Sequence, residues 1–553
     1  MARDGQRVVV VTGGGAGIGA AVAEELGRSG AFVVTMDPLV TMDGSAQLPA
    51  PEETTAGRIV AAGGAARASA VSVTDGDGVS ALFADLVDEM GRLDAVVNVA
   101  GITRPTSFAK GTDDDWRSVL EVHLDGYLNI LRAALPIMAT AGHGRILGVT
   151  SGSGWRPADT GAYGCAKRAV ASLTWQLGKR PPAGVVVNAM SPIAVTRMVT
   201  AALERAQKAR GGTGSTTGGL SLGSMPEPDE IGPFGAHLVG DDLSWCSGRV
   251  LFAGGPEVAL VDEPRLLEVV QTDGVRGLAG LLDAVTASAL VPAEAKQASG
   301  GGSNPRFVAA YASGAVDVPA TSVQTCVVVV DGPDQAAPIT AALEARSVTC
   351  AVVVADEVGG GFAVAADALA AASGRVGALD AVVVALDGAR GASDAASDWE
   401  QVLAEHAGIV DRIHGDAAWA RAASDHAIAA DRPLRLVVLT DATTTGGRSR
   451  AQAAAQLARS GRGATGERVS AFAVSVETAA DADRAMVGEV AAHLVTSHEA
   501  VGLSGAELVA GRGWFGLRSH PRPTGSIALS GAGAPGWLDG VLREIVSAQE
   551  TSG

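Results

Sequence analysis

Cysteine is scarce in this chain. The four residues among 553, Cys165, Cys246, Cys326 and Cys350, are scattered without the spacing of a metal site. Such scarcity excludes a disulfide-stapled scaffold and a cysteine-built metal centre, and it fits a reducing compartment. Long apolar runs are lacking too. None approaches the roughly 18 residues that span a bilayer, and Met1 to Gln6 leads into a strand rather than a signal-peptide core. The expectation is a cytoplasmic protein with no membrane partner. Positive charge is also short, with 42 Lys and Arg against 60 Asp and Glu, a net charge of -18 and no basic cluster. That excludes a nucleic-acid surface, because phosphate binding needs clustered cations, but a local basic patch can still meet an anionic substrate. What the chain does have is apolar bulk: 47% hydrophobic residues over a length that predicts two or more globular domains.

The first half opens on a β-branched run, Val8 to Val11, which suits a strand buried on both faces of a parallel sheet. Thr12-Gly-Gly-Gly-Ala-Gly-Ile-Gly19 follows at once, and then an amphipathic stretch to Arg28. Strand, glycine turn and helix set bare backbone N–H groups at a helix N-terminus, where a dinucleotide pyrophosphate can approach. Gly13, Gly17, Ile18 and Gly19 are therefore candidate cofactor residues. A second strand, Ala31 to Met36, ends in Asp37, whose carboxylate can accept from both adenosine ribose hydroxyls and repel a 2′-phosphate. With no Lys or Arg at Ala16 or Pro38, the expected cofactor is NAD. A polar, proline-bearing insertion runs from Val40 to Thr55, and the next strand is read as ending at Val71 to Asp75.

Farther on lies Ser151-Gly-Ser-Gly-Trp-Arg-Pro-Ala-Asp-Thr-Gly-Ala-Tyr163-Gly-Cys-Ala-Lys167. On a helix, residues four apart share a face, so the Lys167 ammonium can lie beside the Tyr163 phenol and favour its phenolate. Ser151, on a different element, can hold a substrate oxygen. The trio resembles the Ser…Tyr-x-x-x-Lys centre of the short-chain dehydrogenase/reductase family, and other motifs follow that family in order across residues 7 to 255. Thr12 to Gly19 fits its glycine turn. Asn98-Val-Ala-Gly101 is similar to its Asn-Asn-Ala-Gly, and Pro192-Ile-Ala-Val-Thr196 to its Pro-Gly-x-x-x-Thr with Ile193 in place of glycine.

That resemblance implies roles for further residues. Ser72 and Val73 would stand where relatives contact adenine, Ser72 replacing the usual Asp. Asn98 would brace the central strands, Ala100 and Gly101 would leave room for ribose, and Pro192 and Thr196 would meet the nicotinamide. His123 stands where most of the family has Asn in a proton relay; in the type 2 multifunctional β-oxidation branch, which the insertion and Pro-x-Ala-x-Thr-Arg-Met198 also resemble, histidine occurs there. A buried histidine with no catalytic part is an equal reading. The segment between Met198 and Met225, with the glycine-rich run Gly211 to Gly219, is where the family keeps a substrate lid. Ser247 to Gly255 is expected to supply the last strand.

The second half repeats the first. Val327 to Gly332 echoes Val8 to Gly13, Gly377 to Val383 echoes Gly91 to Val97, Asp398 to His406 echoes Asp115 to His123, and Ala492 to Val495 echoes Ala236 to Val239. Trp537-Leu-Asp-Gly-Val541 parallels Leu281-Leu-Asp-Ala-Val285. The expected fold is α/β: two tandem Rossmann-like doubly wound parallel-sheet domains, 1–297 and 321–553, joined by a linker at 298–320 that includes Ala298 to Pro305. The copy has lost its chemistry. Its first turn carries Asp331, Pro333, Asp334 and Pro338, Asp441 takes the place of Ser151, no tyrosine follows Tyr311 and no lysine follows Lys296. Asp356 and His406 are read as inherited structure. An Ala-rich helix, Arg450 to Arg459, predicts close packing on the first unit as an internal pseudo-dimer, with further homo-oligomers open.

The resemblance implies an NAD-dependent oxidoreductase interconverting a secondary alcohol and a ketone, with no metal. A 3-hydroxyacyl-CoA and a hydroxysteroid are the substrate classes it suggests. A non-catalytic NAD-binding scaffold or sensor is the alternative.

Overall fold

The computed structural model describes residues 5–200, 225–271, 278–297, 323–386, 395–479, 483–529 and 533–551. Residues 201–224, most of the segment expected from sequence to hold a lid or a plain loop, and the linker expected at 298–320 lie outside them. Seventeen strands are found among the described residues: β1 (Val8–Thr12), β2 (Phe32–Met36), β3 (Ala65–Ser69), β4 (Ala95–Asn98), β5 (Gly144–Val149), β6 (Val185–Pro192), β7 (Val250–Gly254), β8 (Glu257–Val261), β9 (Leu266–Gln271), β10 (Thr325–Val330), β11 (Thr349–Val354), β12 (Ala381–Ala385), β13 (Leu434–Asp441), β14 (Val469–Val476), β15 (Glu507–Gly511), β16 (Trp514–Arg518) and β17 (Pro523–Ala528). They form two α/β sheets. The first runs β3-β2-β1-β4-β5-β6-β7-β8-β17 and the second β11-β10-β12-β13-β14-β15-β16-β9.

The β-branched runs occupy the sheet centres, as a strand covered on both faces requires. Val8 to Val11 and Val327 to Val330 are wholly buried. From β3 to β7, and from β11 to β15, neighbours pair in parallel. The two halves share one strand order, except that among the described residues the second shows no counterpart of β3. Val71 to Asp75, read from sequence as the end of a strand, lies beyond it: β3 stops at Ser69, and Asp75 caps the helix Gly76–Met90 by accepting from the Gly78 N–H at 2.9 Å.

Nor is the strand from Ser247 to Gly255 the last of its sheet. β7 is followed by antiparallel β8, and beyond β8 lies β17, contributed by the far end of the chain. Reciprocally, β9 leaves the first half and pairs antiparallel with β16 of the second. The helices that follow these strands cross over as well. Leu538, Leu542 and Val546, on the helix Leu538–Thr551, enter the first core, while Leu278, Leu282 and Leu290 enter the second. Two histidine–aspartate pairs tie the exchange, His237 to Asp539 at 2.9 Å and His493 to Asp283 at 2.9 Å. The division at 297 thus follows the sequence repeat, whereas residues 266–271 join the second sheet and 278–297 pack into the second core. By length and composition the helix at 278–297 could cross a membrane; here it packs on the helix Arg484–Thr496.

Where the halves meet, the helix Gly161–Gly178 lies against Thr445–Ala464. Small side chains permit the close approach, and almost the whole of the first helix is buried because a sheet covers one side and a helix the other. Polar contacts fix the pairing. Gln176 Nε2 donates to the Thr445 carbonyl at 3.0 Å, Gln456 Nε2 to the Arg156 carbonyl at 2.9 Å, and Arg168 Nε to Gln452 at 3.0 Å, with the Arg168 guanidinium also against the Glu507 carboxylate. One continuous apolar cluster runs through both halves.

Candidate active site

The glycine turn has the shape that a pyrophosphate needs. An ideal Cβ on Gly13 would come within 2.8 Å of the Ala100 nitrogen, one on Gly19 within 2.2 Å of the Gly13 carbonyl oxygen, and Gly17 has φ +57°. The helix Gly17–Arg28 begins at Ala16 with no side chain capping it, so its first N–H groups remain available to an anion. The corresponding turn of the second half is closed, because Gln335 Oε1 accepts from the backbone of Asp331 at 3.1 Å and of Gly332 at 3.3 Å.

A cavity of about 540 Å³ opens from this turn along the ends of the strands. Of the residues expected from sequence, Gly13, Gly17, Ile18, Asp37, Ser72, Val73, Ala100, Gly101, His123, Ser151, Tyr163, Lys167, Pro192 and Thr196 line it. Gly19 and Asn98 stand behind it. Gly19 packs on the Gly13 backbone, and Asn98 Oδ1 accepts from the Thr12 hydroxyl at 2.8 Å, whose oxygen in turn accepts from the Ala100 N–H at 3.1 Å. The Asp37 carboxylate is held by the N–H groups of Gly15 at 3.0 Å and Leu39 at 2.8 Å. Ser72 turns its hydroxyl to Thr74 at 2.8 Å.

At the other end, the helix Gly161–Gly178 presents Tyr163 and Lys167 one turn apart, and the extended backbone after β5 delivers Ser151. Burial raises the Tyr163 phenol pKa, and the nearby Ser151 hydroxyl opposes the rise. Lys167 Nζ lies 5.7 Å from the Tyr163 ring centroid and donates to the Val149 carbonyl at 2.6 Å. Its own burial pushes it down to about 7. The expected lowering of the phenol by the lysine is therefore not what this arrangement shows: the ammonium is desolvated and turned to a carbonyl, and burial dominates the phenol.

His123 sits in a π-helical turn, Glu121–Asp125, a local widening that recurs at functional sites. Its Nε2 meets the Ile102 carbonyl at 2.7 Å, its Nδ1 has no partner, and its ring stands edge-on to Tyr163 at 5.0 Å. Burial, and then Lys167, hold it well below its usual pKa, so it is neutral.

Reading the sequence for motifs missed part of the wall. Thr41, Met42 and Gly44 come from the insertion, which folds into a small hairpin bridged Val40 to Gln47. The Met42 carbonyl accepts from the Thr103 N–H at 2.9 Å, and Arg104 Nε donates to the Asp43 carbonyl at 2.9 Å. Thr41-x-Asp43-x-Ser45 is a turn signature, but only the fold shows what it faces.

A strand–glycine turn–helix cradle opening onto a Ser–Tyr–Lys set is the arrangement described by the short chain dehydrogenase family, whose pattern matches residues 7–208. Similarity to individual proteins agrees. The short-chain reductase protein NovJ of Streptomyces niveus is 32% identical over 253 residues, covering 45% of this chain and 93% of its own. The chain belongs to the short-chain dehydrogenase/reductase family. Its first half is also 31% identical over 258 residues to a peroxisomal hydratase-dehydrogenase-epimerase of Neurospora crassa, covering 46% of this chain and 27% of that one. Among solved structures, the N-domain of a bacterial malonyl-CoA reductase, with NADP, covers 91% of this chain and 97% of its own at a TM-score of 0.66 and 16% identity. That likeness shows the fold alone, over nearly the whole length. As a short-chain dehydrogenase/reductase, the chain is an NAD(P)-dependent oxidoreductase acting on CH–OH groups.

Proposed function

We propose that the chain uses NAD to interconvert a secondary alcohol and its ketone, with a 3-hydroxyacyl compound as substrate. The observation that carries the reading is that one cavity gathers Ser151, Tyr163 and the buried Lys167, whose Nζ lies 5.7 Å from the tyrosine ring centroid. Ser151 would hold the substrate oxygen while the Tyr163 hydroxyl exchanges the proton with it. Lys167, one turn on, would turn from the Val149 carbonyl to the nicotinamide ribose and favour the phenolate. The cofactor, when bound, supplies the hydride chemistry. Gly13, Gly17 and the uncapped helix would hold its pyrophosphate, and Asp37, fixed by two backbone N–H groups, favours a free ribose 2′-hydroxyl over a phosphate. The likeness to the peroxisomal enzyme supports a 3-hydroxyacyl-CoA, with a hydroxysteroid as second choice.

On this reading the second half stands in for a partner subunit. Its glycine-turn counterpart is closed by Gln335, and Asp441 spends one carboxylate oxygen on Thr443 at 2.6 Å. The deciding experiment is reduction of NAD and NADP by a panel of hydroxyacyl thioesters, hydroxy acids and hydroxysteroids. Tyr163→Phe should lower kcat by at least about 1,000-fold with NAD affinity unchanged, since both proton transfer and alignment are lost. Retention of most activity would sink the assignment.

A further inference from the structure

The His123 ring is held by a stretch of chain that has no regular structure of its own. Residues 99–106, between β4 and the helix Asp113–Leu120, form neither helix nor strand. Within them the Ile102 carbonyl meets His123 Nε2 at 2.7 Å. A carbonyl only accepts, so Nε2 carries the proton, and Nδ1 of this neutral ring keeps its lone pair. An ideal Cβ on Gly101 would come 2.3 Å from His123 Cε1, so backbone and ring are in close contact. The same ring stands edge-on to Tyr163, with centroids 5.0 Å apart. The place of residues 101–104 therefore decides where the tyrosine is buttressed.

Irregular backbone opens readily unless its neighbours fix it. Here the neighbours are the hairpin bridged Val40 to Gln47 and the start of the next helix, and Arg104 fastens both. The Thr103 N–H donates to the Met42 carbonyl at 2.9 Å. Gly44, at φ +71°, approaches Ile102 so nearly that an added Cβ would stand 3.3 Å from two of its side-chain carbons. Arg104 Nε donates to the Asp43 carbonyl at 2.9 Å, while its Nη1 meets the Asp114 carboxylate. Asp114 lies in the first turn of Asp113–Leu120, and that helix runs directly into the π-helical turn of His123. One guanidinium thus reaches His123 by two routes, through the Ile102 segment and along the helix. The hairpin is stiffened from within, because the Asp43 carboxylate accepts from the Thr41 hydroxyl at 2.6 Å and the Ser45 hydroxyl at 2.8 Å.

We propose that Arg104 is a positioning residue for proton transfer: by locking the hairpin and the helix start onto residues 101–104, it sets the His123 ring that buttresses the Tyr163 phenol. This rests on the assignment of Tyr163 above and adds a residue outside the Ser–Tyr–Lys set. Arg104 lines the same cavity, but its Nε and Nη1 are committed to protein acceptors, so its part is to hold rather than to bind. Thr41 and Met42 of the hairpin wall the cavity beside Asp37, so loosening the hairpin also weakens NAD binding. Turnover at saturating NAD separates the two effects.

The test measures kcat and KM for 3-hydroxybutyryl-CoA at saturating NAD in the wild type, Arg104→Met, Arg104→Lys, His123→Ala and the double variant Arg104→Met/His123→Ala. Arg104→Met should lower kcat about tenfold while KM for the alcohol holds. Arg104→Lys should recover part of the loss, since an ammonium can still bridge a carbonyl and a carboxylate. His123→Ala should lose at least as much as Arg104→Met, and adding Arg104→Met to it should cost nothing more. Arg117→Met, which removes a pair with Asp411 from the same helix, should keep the wild-type kcat. Independently of any substrate, nitrogen NMR spectra of the histidine-labelled NAD complex read the His123 tautomer, its signal assigned by loss in His123→Ala. Arg104→Met should shift that signal. Additive losses in the double variant, a loss confined to NAD affinity, or an unmoved His123 signal would each overturn the proposal. Activity surviving Tyr163→Phe would instead overturn the assignment of the centre.

Discussion

At the scale of single residues, the site is governed by desolvation. Tyr163, Lys167 and His123 are packed so that each resists the charge it would carry in water, and His123 is neutral as a result. Lys167 gives this a measurable form. Its pKa falls from 10.5 to about 7 on folding, so the folded chain binds fewer protons than the unfolded chain between those values. Stability therefore rises with pH across that window, and the burial cost is fully present below about pH 7. Lys167→Met should melt higher than wild type near pH 7, with the difference shrinking steadily toward pH 10; a difference independent of pH would mean the ammonium is not desolvated. Ser151, Tyr163 and Lys167 were legible in the sequence because their chemistry depends on spacing along one helix and one strand end. Met42 and Arg104 were not, because they reach the cavity through a hairpin whose direction no local pattern records.

At the scale of elements, the helix Gly161–Gly178 does two jobs. One face carries the proton-transfer residues, and the other packs on Thr445–Ala464. The two jobs are linked through Arg168, one residue beyond Lys167, which meets Glu507 in a buried pair across the halves. Removing one partner strands the other. Arg168→Met or Glu507→Leu alone should cost about 3–5 kcal/mol in chemical unfolding, while the double variant should recover most of it. Additive losses would show that the pair is not coupled. The Ala-rich stretch forecast this contact in the sequence, since small side chains are what close helix packing needs. The π-helical turn at His123 went unread: its sequence fits an ordinary helix, and the widening is a tertiary accommodation.

At the scale of the whole molecule, each half is completed by the other. Ile527, Leu538, Leu542 and Val546 lie in the first core although they come from the end of the chain. Burying four such side chains contributes about 1.5–3 kcal/mol each, a sum comparable to the entire stability of a domain. Residues 1–297 made alone should therefore unfold cooperatively only at much lower denaturant than the full chain, or aggregate. Co-expression with 321–553 should not rescue them fully, because 266–297 and 523–551 must cross between fragments. A fully stable, active 1–297 fragment would refute the mutual dependence. By itself the sequence determined the α/β class, the glycine cradle and the Ser–Tyr–Lys centre, all of which are written in short-range patterns of burial and spacing. Its repeated stretches also forecast two sheets of similar strand order among the described residues. The tertiary structure decided which half each terminal strand and helix completes. An edge strand carries the same alternating pattern whichever sheet it joins, so only long-range pairing resolves that choice.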